Sequence, residues 1–491
     1  MKNRTSSRFA LILSLILASS ALFSCGDEAV IPSGTTAGDT TSDAVTSELS
    51  IEDQRKLIDD ELPEMDFGGE EFNITINSYC ESGFFSEELS GDQLSDAIYY
   101  RNKAVEERFK VRLNFISGNF GDITRTVQSS VLAGDDQYQL LANHALESNN
   151  WVAAGILNNW YDIEYVNFDK PWWSPSNKND LTYNDTAYLA VGDFSLTTIG
   201  RTYAIYFDKI HGDSYNLPDM YQLVRDGKWT IDMLSDLSKD IYTDLNNDGK
   251  RDFDDFYGYS TSVTSNIGAY LFTSGLKIID KGEIVLDVGK TSDLIAKLIT
   301  LTQVNEGTFY DPDYKNASGN PHYAGAEKMA AGTTLFASAM IETGINYLRN
   351  NDNDYGIIPY PKWDEEQNDY ITIVDGGFTI LAIPKTVVDT EKAGIIAEAL
   401  CAETHKNVIP VYYDIAIKEK GARDEESLEM IDFIMSKRVY DFGYVYDKGY
   451  SGFGFCIETM VKDDNTNFAS YYASNIARIS DQYNEMLACF E

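Results

Sequence analysis

Residues 244–255 read DLNNDGKRDFDD, a run in which short oxygen-bearing side chains recur at alternate positions. Asp244, Asn246 and Asp248 fall at positions 1, 3 and 5 of a calcium loop, and Gly249 falls at position 6. Lys250 would offer its backbone carbonyl at 7, Asp252 would act at 9, and Asp255 closes the set at 12. Short acidic and amide side chains are what such a turn requires, because only they can all point inward. The glycine permits the sharp bend. Arg251 at position 8 and Asp rather than Glu at position 12 depart from the usual pattern. The expectation is a structural calcium clip after a helix that ends near 243. The alternative is an acidic turn held by Asx hydrogen bonds.

Other chemistry is conspicuous for its lack of pattern. His144, His211, His322 and His405 are scattered, with no H-E-x-x-H pair for zinc, no G-x-S-x-G elbow and no phosphate loop. A glycosidase needs two carboxylates about 5–10 Å apart, which a chain this acidic does not exclude. Yet no eightfold strand–helix recurrence of a barrel is present. The balance of 39 Lys+Arg against 78 Asp+Glu gives a net charge of −39. A polyanion would be repelled, so nucleic acid is excluded as a partner. Cys80, Cys401, Cys456 and Cys489 form no C-x-x-C pair, and their pairing is left open.

The beginning of the chain decides the compartment. Lys2, Arg4 and Arg8 precede a mostly apolar run at 9–23, too short and Ser-rich for a membrane span, so residues 1–24 read as a secretory signal. Leu22-Phe23-Ser24-Cys25 resembles a bacterial lipobox, although Phe23 is bulkier than that motif prefers. The resemblance implies cleavage before Cys25 and lipidation of its thiol, with acyl chains such as palmitate anchoring the protein outside the cell membrane. Residues 25–49 are rich in Gly, Ser, Thr, Ala and Asp and lack aromatics. They cannot bury enough apolar surface to order themselves, and as a coil they would reach roughly 25–30 Å. That is a tether.

The body, at about 440 residues, exceeds what one core usually holds, which points to two lobes. Residues 71–77 alternate as a strand, 96–109 carry helical spacing, and 111–115 alternate again. A helix to about 132 and an apolar run at 138–142 follow. Strands are then expected at 188–196, 203–210, 334–340, 355–361 and 371–383, with helices dominating after 390. Strands alternating with helices predict an α/β lobe with a substantially parallel sheet.

In this order, LPEMDFGGEEFNI (from Leu62), DAIYYRNKAVEERFKV, DKPWW (from Asp169), GKWTIDML (from Gly227), YGIIPYPKWDEEQNDY (from Tyr355) and ARDEESLEMIDFI (from Ala422) spread over nearly the whole mature chain. On these stretches the body resembles extracellular solute-binding protein family 1, the superfamily of maltose-binding protein. The resemblance implies an α/β fold of two periplasmic-binding-protein-like lobes with a ligand cleft between them and a helix-rich C-terminus. It puts 66–192 plus 335–384 in the first lobe and 194–334 plus 388–485 in the second. It implies a lipid-anchored protein that delivers a carbohydrate to the membrane subunits of an ABC importer, and not an enzyme. A secreted acidic glycoside hydrolase and a non-transport surface glycan-binding protein are the alternatives.

Candidate ligand contacts follow from that cleft. Trp172 and Trp173 are adjacent, so in an extended segment one of them must face away from the core and could stack on a sugar. Asp193 lies beside Gly192 at an implied crossing between lobes, and Glu342 follows the apolar run ending Met340-Ile341 at a second. Asp375-Gly376-Gly377 interrupts a third strand pair, where paired glycines permit close backbone approach. Tyr444 is the last candidate.

Overall fold

A computed structural model describes residues 51–348, 354–413 and 424–491. The leader, Cys25 and the tether lie outside the described residues. No helix among the described residues is long and apolar enough to cross a membrane.

Fourteen strands are described: β1 (Glu70–Asn77), β2 (Val111–Gly118), β3 (Leu140–His144), β4 (Tyr203–Asp208), β5 (Tyr242–Thr243), β6 (Phe256–Ser260), β7 (Ile279–Asp280), β8 (Glu283–Ile284), β9 (Thr308–Phe309), β10 (Thr334–Met340), β11 (Tyr355–Ile358), β12 (Thr372–Ile373), β13 (Thr379–Ala382) and β14 (Arg438–Val439). The first sheet runs β13–β3–β1–β2. β1 pairs in parallel with β2 and β3, and β13 closes the edge antiparallel to β3. The second sheet runs β11–β4–β10–β6–β5, with β9 beside β6. In it β4 is antiparallel to both β10 and β11, whereas β10 and β6 are parallel. Two sheets with helices around them form the two-lobe periplasmic-binding-protein fold.

The first sheet forms because β1 alternates Phe72, Ile74 and Ile76, all fully buried. The helix Gln93–Phe109 covers it, starting where the Asp92 side chain accepts from Ser95 N–H and stopping at Lys110 in the left-handed region. β4 and β10 are buried along their whole lengths, so they read as apolar runs rather than alternating ones.

Two expected boundaries move. The 335–384 segment is not one piece of the first lobe: β10 and β11 belong to the second sheet, and only β13 returns to the first. Their partner β4 explains this, since β10 and β11 flank it on either side. The C-terminal part also divides, because the helix Thr390–Glu403 packs into the first sheet's cluster with Phe72, Phe109 and Trp173. Residues 188–196 do not form a regular strand. They touch the chain's other crossing through an Ala190–Leu381 bridge, and Thr202 bridges Val374 farther on. These two segments, running antiparallel between the sheets, are the link between lobes.

Trp172 and Trp173 brace this link from behind. Residues 171–173 form a turn, with Trp173 N–H donating to the Lys170 carbonyl at 3.1 Å, so both rings swing to the same side. Their exposures are 0% and 2%. Both indole N–H groups donate to Glu398, each at 2.7 Å. Gly192 passes so close that a Cβ there would lie 2.7 Å from Cys401 Sγ and 2.8 Å from the Trp173 ring. The expectation that one tryptophan borders the cleft is therefore corrected: it assumed an extended backbone, and the backbone turns.

Glu398 is fully buried with no cation in ion-pair contact among the described residues, and desolvation pushes its carboxyl up to about 7 against the hydrogen bonds of both indoles. Because the folded value is raised, its contribution to stability is fully present below about pH 4.5 and is lost as pH rises through about 7. A shift of this size is worth on the order of 3 kcal/mol. We expect the melting temperature to fall between pH 5 and pH 8, and Glu398→Gln to flatten that fall. The same variant should cost about 1–3 kcal/mol at pH 5, because an amide cannot accept from both indoles on equal terms. Thermal melts of both proteins across the range check this, and an unaltered slope in the variant would refute the assignment.

Candidate ligand cleft

Parallel strands end where the cleft begins. Tyr79 and Cys80 follow β1, His144 ends β3, Thr264 and Ser265 follow β6, and Glu342 follows β10. This is the usual position for a ligand crevice in open α/β sheets, outside the carboxyl ends of the strands. With Arg201 and residues 375–377 from the interlobe link, they enclose a cavity of about 710 Å³, in the range of ligand clefts, about 300–1,000 Å³.

Asp375 is the hub of its floor. One carboxylate oxygen accepts from Arg201 Nη1 at 3.1 Å and Gly377 N–H at 2.9 Å. The other accepts from the Tyr203 hydroxyl at 2.7 Å and the Ser265 hydroxyl at 2.9 Å. Burial alone would raise this carboxyl, but Arg201 and the Tyr203 hydrogen bond overcome it and hold it down at about 2. Arg201 also lies over the Tyr79 ring, 4.8 Å from its centroid. Gly377 leaves room for this pair, since a Cβ there would meet Arg201 Nη1 at 2.4 Å and Asp375 Oδ1 at 2.9 Å and push them aside. Gly376 likewise sits against Leu146, and its N–H donates to the Tyr444 hydroxyl at 3.1 Å.

The walls are aromatic. Tyr79, Phe120, Tyr323, Tyr444 and Phe455 all line the cavity. Such rings offer flat apolar faces beside the polar floor. Tyr444 is fixed between Phe272 and Phe455, with ring centroids 5.2 and 5.5 Å away.

Several polar side chains of this lining are incompletely paired among the described residues. Among the described residues Glu342 receives only a long hydrogen bond, 3.4 Å, from the Tyr323 hydroxyl, and burial raises its carboxyl despite Arg201 nearby. Glu458 Oε1 is buried with no hydrogen-bond partner among the described residues. Burial, with the Asp375 and Asp447 charges, pushes its carboxyl up to about 8. His144 Nδ1 is also unpartnered among the described residues, and burial lowers its imidazole to about 4, so it is neutral near pH 7. His322 pairs through Nδ1 with the Thr264 hydroxyl at 2.6 Å, and burial lowers it too.

Of the residues expected from sequence, Glu342, Asp375, Gly376 and Tyr444 are brought together around this cavity. Asp193 is not among its lining residues: its carboxylate pairs with His405 Nδ1 at 2.6 Å, on the Trp172 side of the link. Sequence reasoning missed Tyr79, Phe120, His144, Arg201 and Glu458. The first and third could have been found, because they stand at the ends of two expected strands. Nothing local marks Arg201 or Glu458.

The 244–255 turn is formed and internally bonded. Asp244 accepts from Asn247 N–H and Gly249 N–H at 2.6 and 2.9 Å, and Asp248 N–H donates to Asn246 Oδ1 at 2.9 Å. Asp255 is buried and accepts from the Tyr242 hydroxyl at 2.9 Å and Leu245 N–H at 3.2 Å. Asp248 pairs with its neighbour Lys250 at 3.2 Å. Among the described residues, no group of three or more His, Cys, Asp or Glu is arranged to hold a metal ion. Cys80, Cys401, Cys456 and Cys489 are free thiols.

No sequence-family model matches the chain, and no curated protein matches it. Solved structures do. The ABC substrate-binding protein Lmo0181 from Listeria monocytogenes, in complex with cycloalternan, superposes with a TM-score of 0.53 at 12% identity, covering 86% of this chain and 98% of that one. The GacH receptor of Streptomyces glaucescens, solved unliganded and with acarbose, gives 0.53 at 10% identity, with coverages of 86% and 98%. UgpB from Mycobacterium tuberculosis, in complex with glycerophosphocholine, gives 0.52 at 13% identity, with coverages of 86% and 97%. At these identities the likeness establishes the fold.

Proposed function

We propose that this chain is the solute-binding component of an ABC importer, and that its cleft captures a carbohydrate by lobe closure without cleaving it. The observation that carries this reading is the cleft itself: five aromatic rings stand over a floor of fixed hydrogen-bonding groups, between two sheets joined by crossing segments. Rings can lie on the apolar face of a sugar while Glu342, Glu458 and His144 take its hydroxyls. The fold supports the reading, since two structures that share it hold cycloalternan and acarbose. A ligand touching both lobes favours the closed form by its differential affinity.

In this reading Cys25 bears the lipid that keeps the body near its importer. The 244–255 turn is read as a calcium clip outside the cleft: Gly249, at φ +74, makes the bend that the loop pattern needs at its sixth position.

Three outcomes follow. Among neutral oligosaccharides, at least one should raise the melting temperature, by about 2.7 kcal/mol of stabilisation at one hundred times its Kd. Scattering should then show compaction, and chromatography should return the sugar intact; a hydrolysed product whose formation stops in Glu342→Gln or Glu458→Gln would make the protein an enzyme instead. Metabolic labelling with a fatty-acid precursor should mark the wild type and leave Cys25→Ala unmarked. Chelation should lower the melting temperature of the wild type, with Asp248→Ala losing most of that response; equal responses would remove calcium from the loop.

A further inference from the structure

The cleft holds more acids than cations, and its cations are already engaged. Among the described residues its lining includes the carboxyls of Glu147, Glu342, Asp375 and Glu458 against only Arg201 and Lys448. Lys448 pairs with Glu147, and Arg201 pairs with Asp375. That leaves Glu342 and Glu458, neither of which forms an ion pair among the described residues. The histidines do not redress the balance, since burial lowers both His144 and His322.

We infer that this cleft discriminates by charge, taking sugars that are uncharged or carry an amino group and rejecting those with carboxylate or phosphate groups. The inference rests on the carbohydrate reading above and narrows it.

Geometry supports it at two points. Glu458 lies against the helix Ser265–Thr273, so close that a Cβ on Gly268 would meet its Oε1 at 2.5 Å. It stands in the lining with Phe455 and Tyr444, and its buried Oε1 has no hydrogen-bond partner among the described residues. Near neutral pH it holds its proton, so it donates to a hydroxyl and does not itself repel an anion. An arriving ammonium would displace that proton to solvent and pair with the carboxylate left behind, so Glu458 favours amines while Glu342 and Asp375 oppose anions. Glu342 stands after β10 beside Tyr323 and gives Arg201 a second negative neighbour besides Asp375. The guanidinium is thus already compensated by two carboxyls, and an anionic ligand approaching it would meet both. Among side chains as buried as Arg201, Asp375 and Glu342, a like-charge contact is weakly screened.

The test uses three trisaccharides: maltotriose, the chitosan trimer with three free amines, and trigalacturonate. Titration calorimetry at pH 7 is expected to find trigalacturonate at least tenfold weaker than whichever of the other two binds better. A smaller gap, or a preference for the acid, overturns the charge inference while leaving carbohydrate capture standing. If none of the three, nor any neutral oligosaccharide, binds, the carbohydrate reading falls and this inference falls with it. The double variant Glu342→Gln, Glu458→Gln, with its melting temperature checked against wild type, should narrow the gap about tenfold. A gap unchanged in a folded variant would show that these two residues do not set it. Should that variant fail to fold, Glu458→Gln alone decides: it must weaken the chitosan trimer more than maltotriose, and equal losses would overturn its role.

Discussion

A buried carboxylate that must stay charged organises this molecule. Asp375 sits where the second interlobe segment leaves the region of β12 for β13, and Arg201 ends the first segment just before β4. Their ion pair, the Asp375 N–H bond to the Arg201 carbonyl at 2.9 Å, and the Thr202–Val374 bridge tie the two crossings together. Tyr203 and Ser265 bring the second sheet into the same network. A buried carboxylate is tolerated only when paired and hydrogen-bonded, and here each of its partners comes from a different part of the link or its neighbours. The interaction that holds the crossings in register also forms the floor of the cleft.

Three other buried or half-buried carboxyls show the opposite solution. Glu398 accepts from two indoles without a cation, and Glu342 and Glu458 face the cleft without an ion pair among the described residues. Desolvation wins at all three, and their carboxyls rise. The difference is one of use. Glu398 fixes the tryptophans behind Gly192 and faces no ligand, whereas the two cleft acids have hydrogen-bonding capacity to spare. The acidity that shows in composition only as solubility becomes, inside the cleft, a filter.

The two faces of the interlobe link therefore divide the work. Behind it, Trp172, Trp173, Cys401 and Gly192 pack at contact distance and leave no room for a side chain. In front of it, Gly376 and Gly377 admit the backbone to the cleft floor beside Tyr444 and Arg201. A motion of the lobes would pivot between a dry, close-packed back and an open, polar front. Close-packed interfaces switch between discrete arrangements more readily than they deform.

The α/β class, the strands at 70–77, 111–118, 203–208 and 334–340, and an acidic body set behind a leader-like segment were all legible in the chain. Each depends on local pattern: apolar alternation, capping residues and composition act over a few neighbouring residues. Four of the seven expected ligand positions also line the cleft, because glycine pairs and acids at strand ends mark places where backbone comes close to open space. What the chain alone could not decide was which way a side chain faces once the backbone turns, and which remote groups meet it. Trp172 and Trp173 looked like a sugar platform until a turn at Lys170 aimed both at Glu398, some 225 residues away in sequence. β10 and β11 looked like part of the first lobe until both paired with β4. Arg201 and Glu458 carry no local signature, since what matters about them is a deficit or a surplus of partners. That quantity exists only after the chain has folded, when burial removes water and leaves each charge to whatever the tertiary structure has placed beside it.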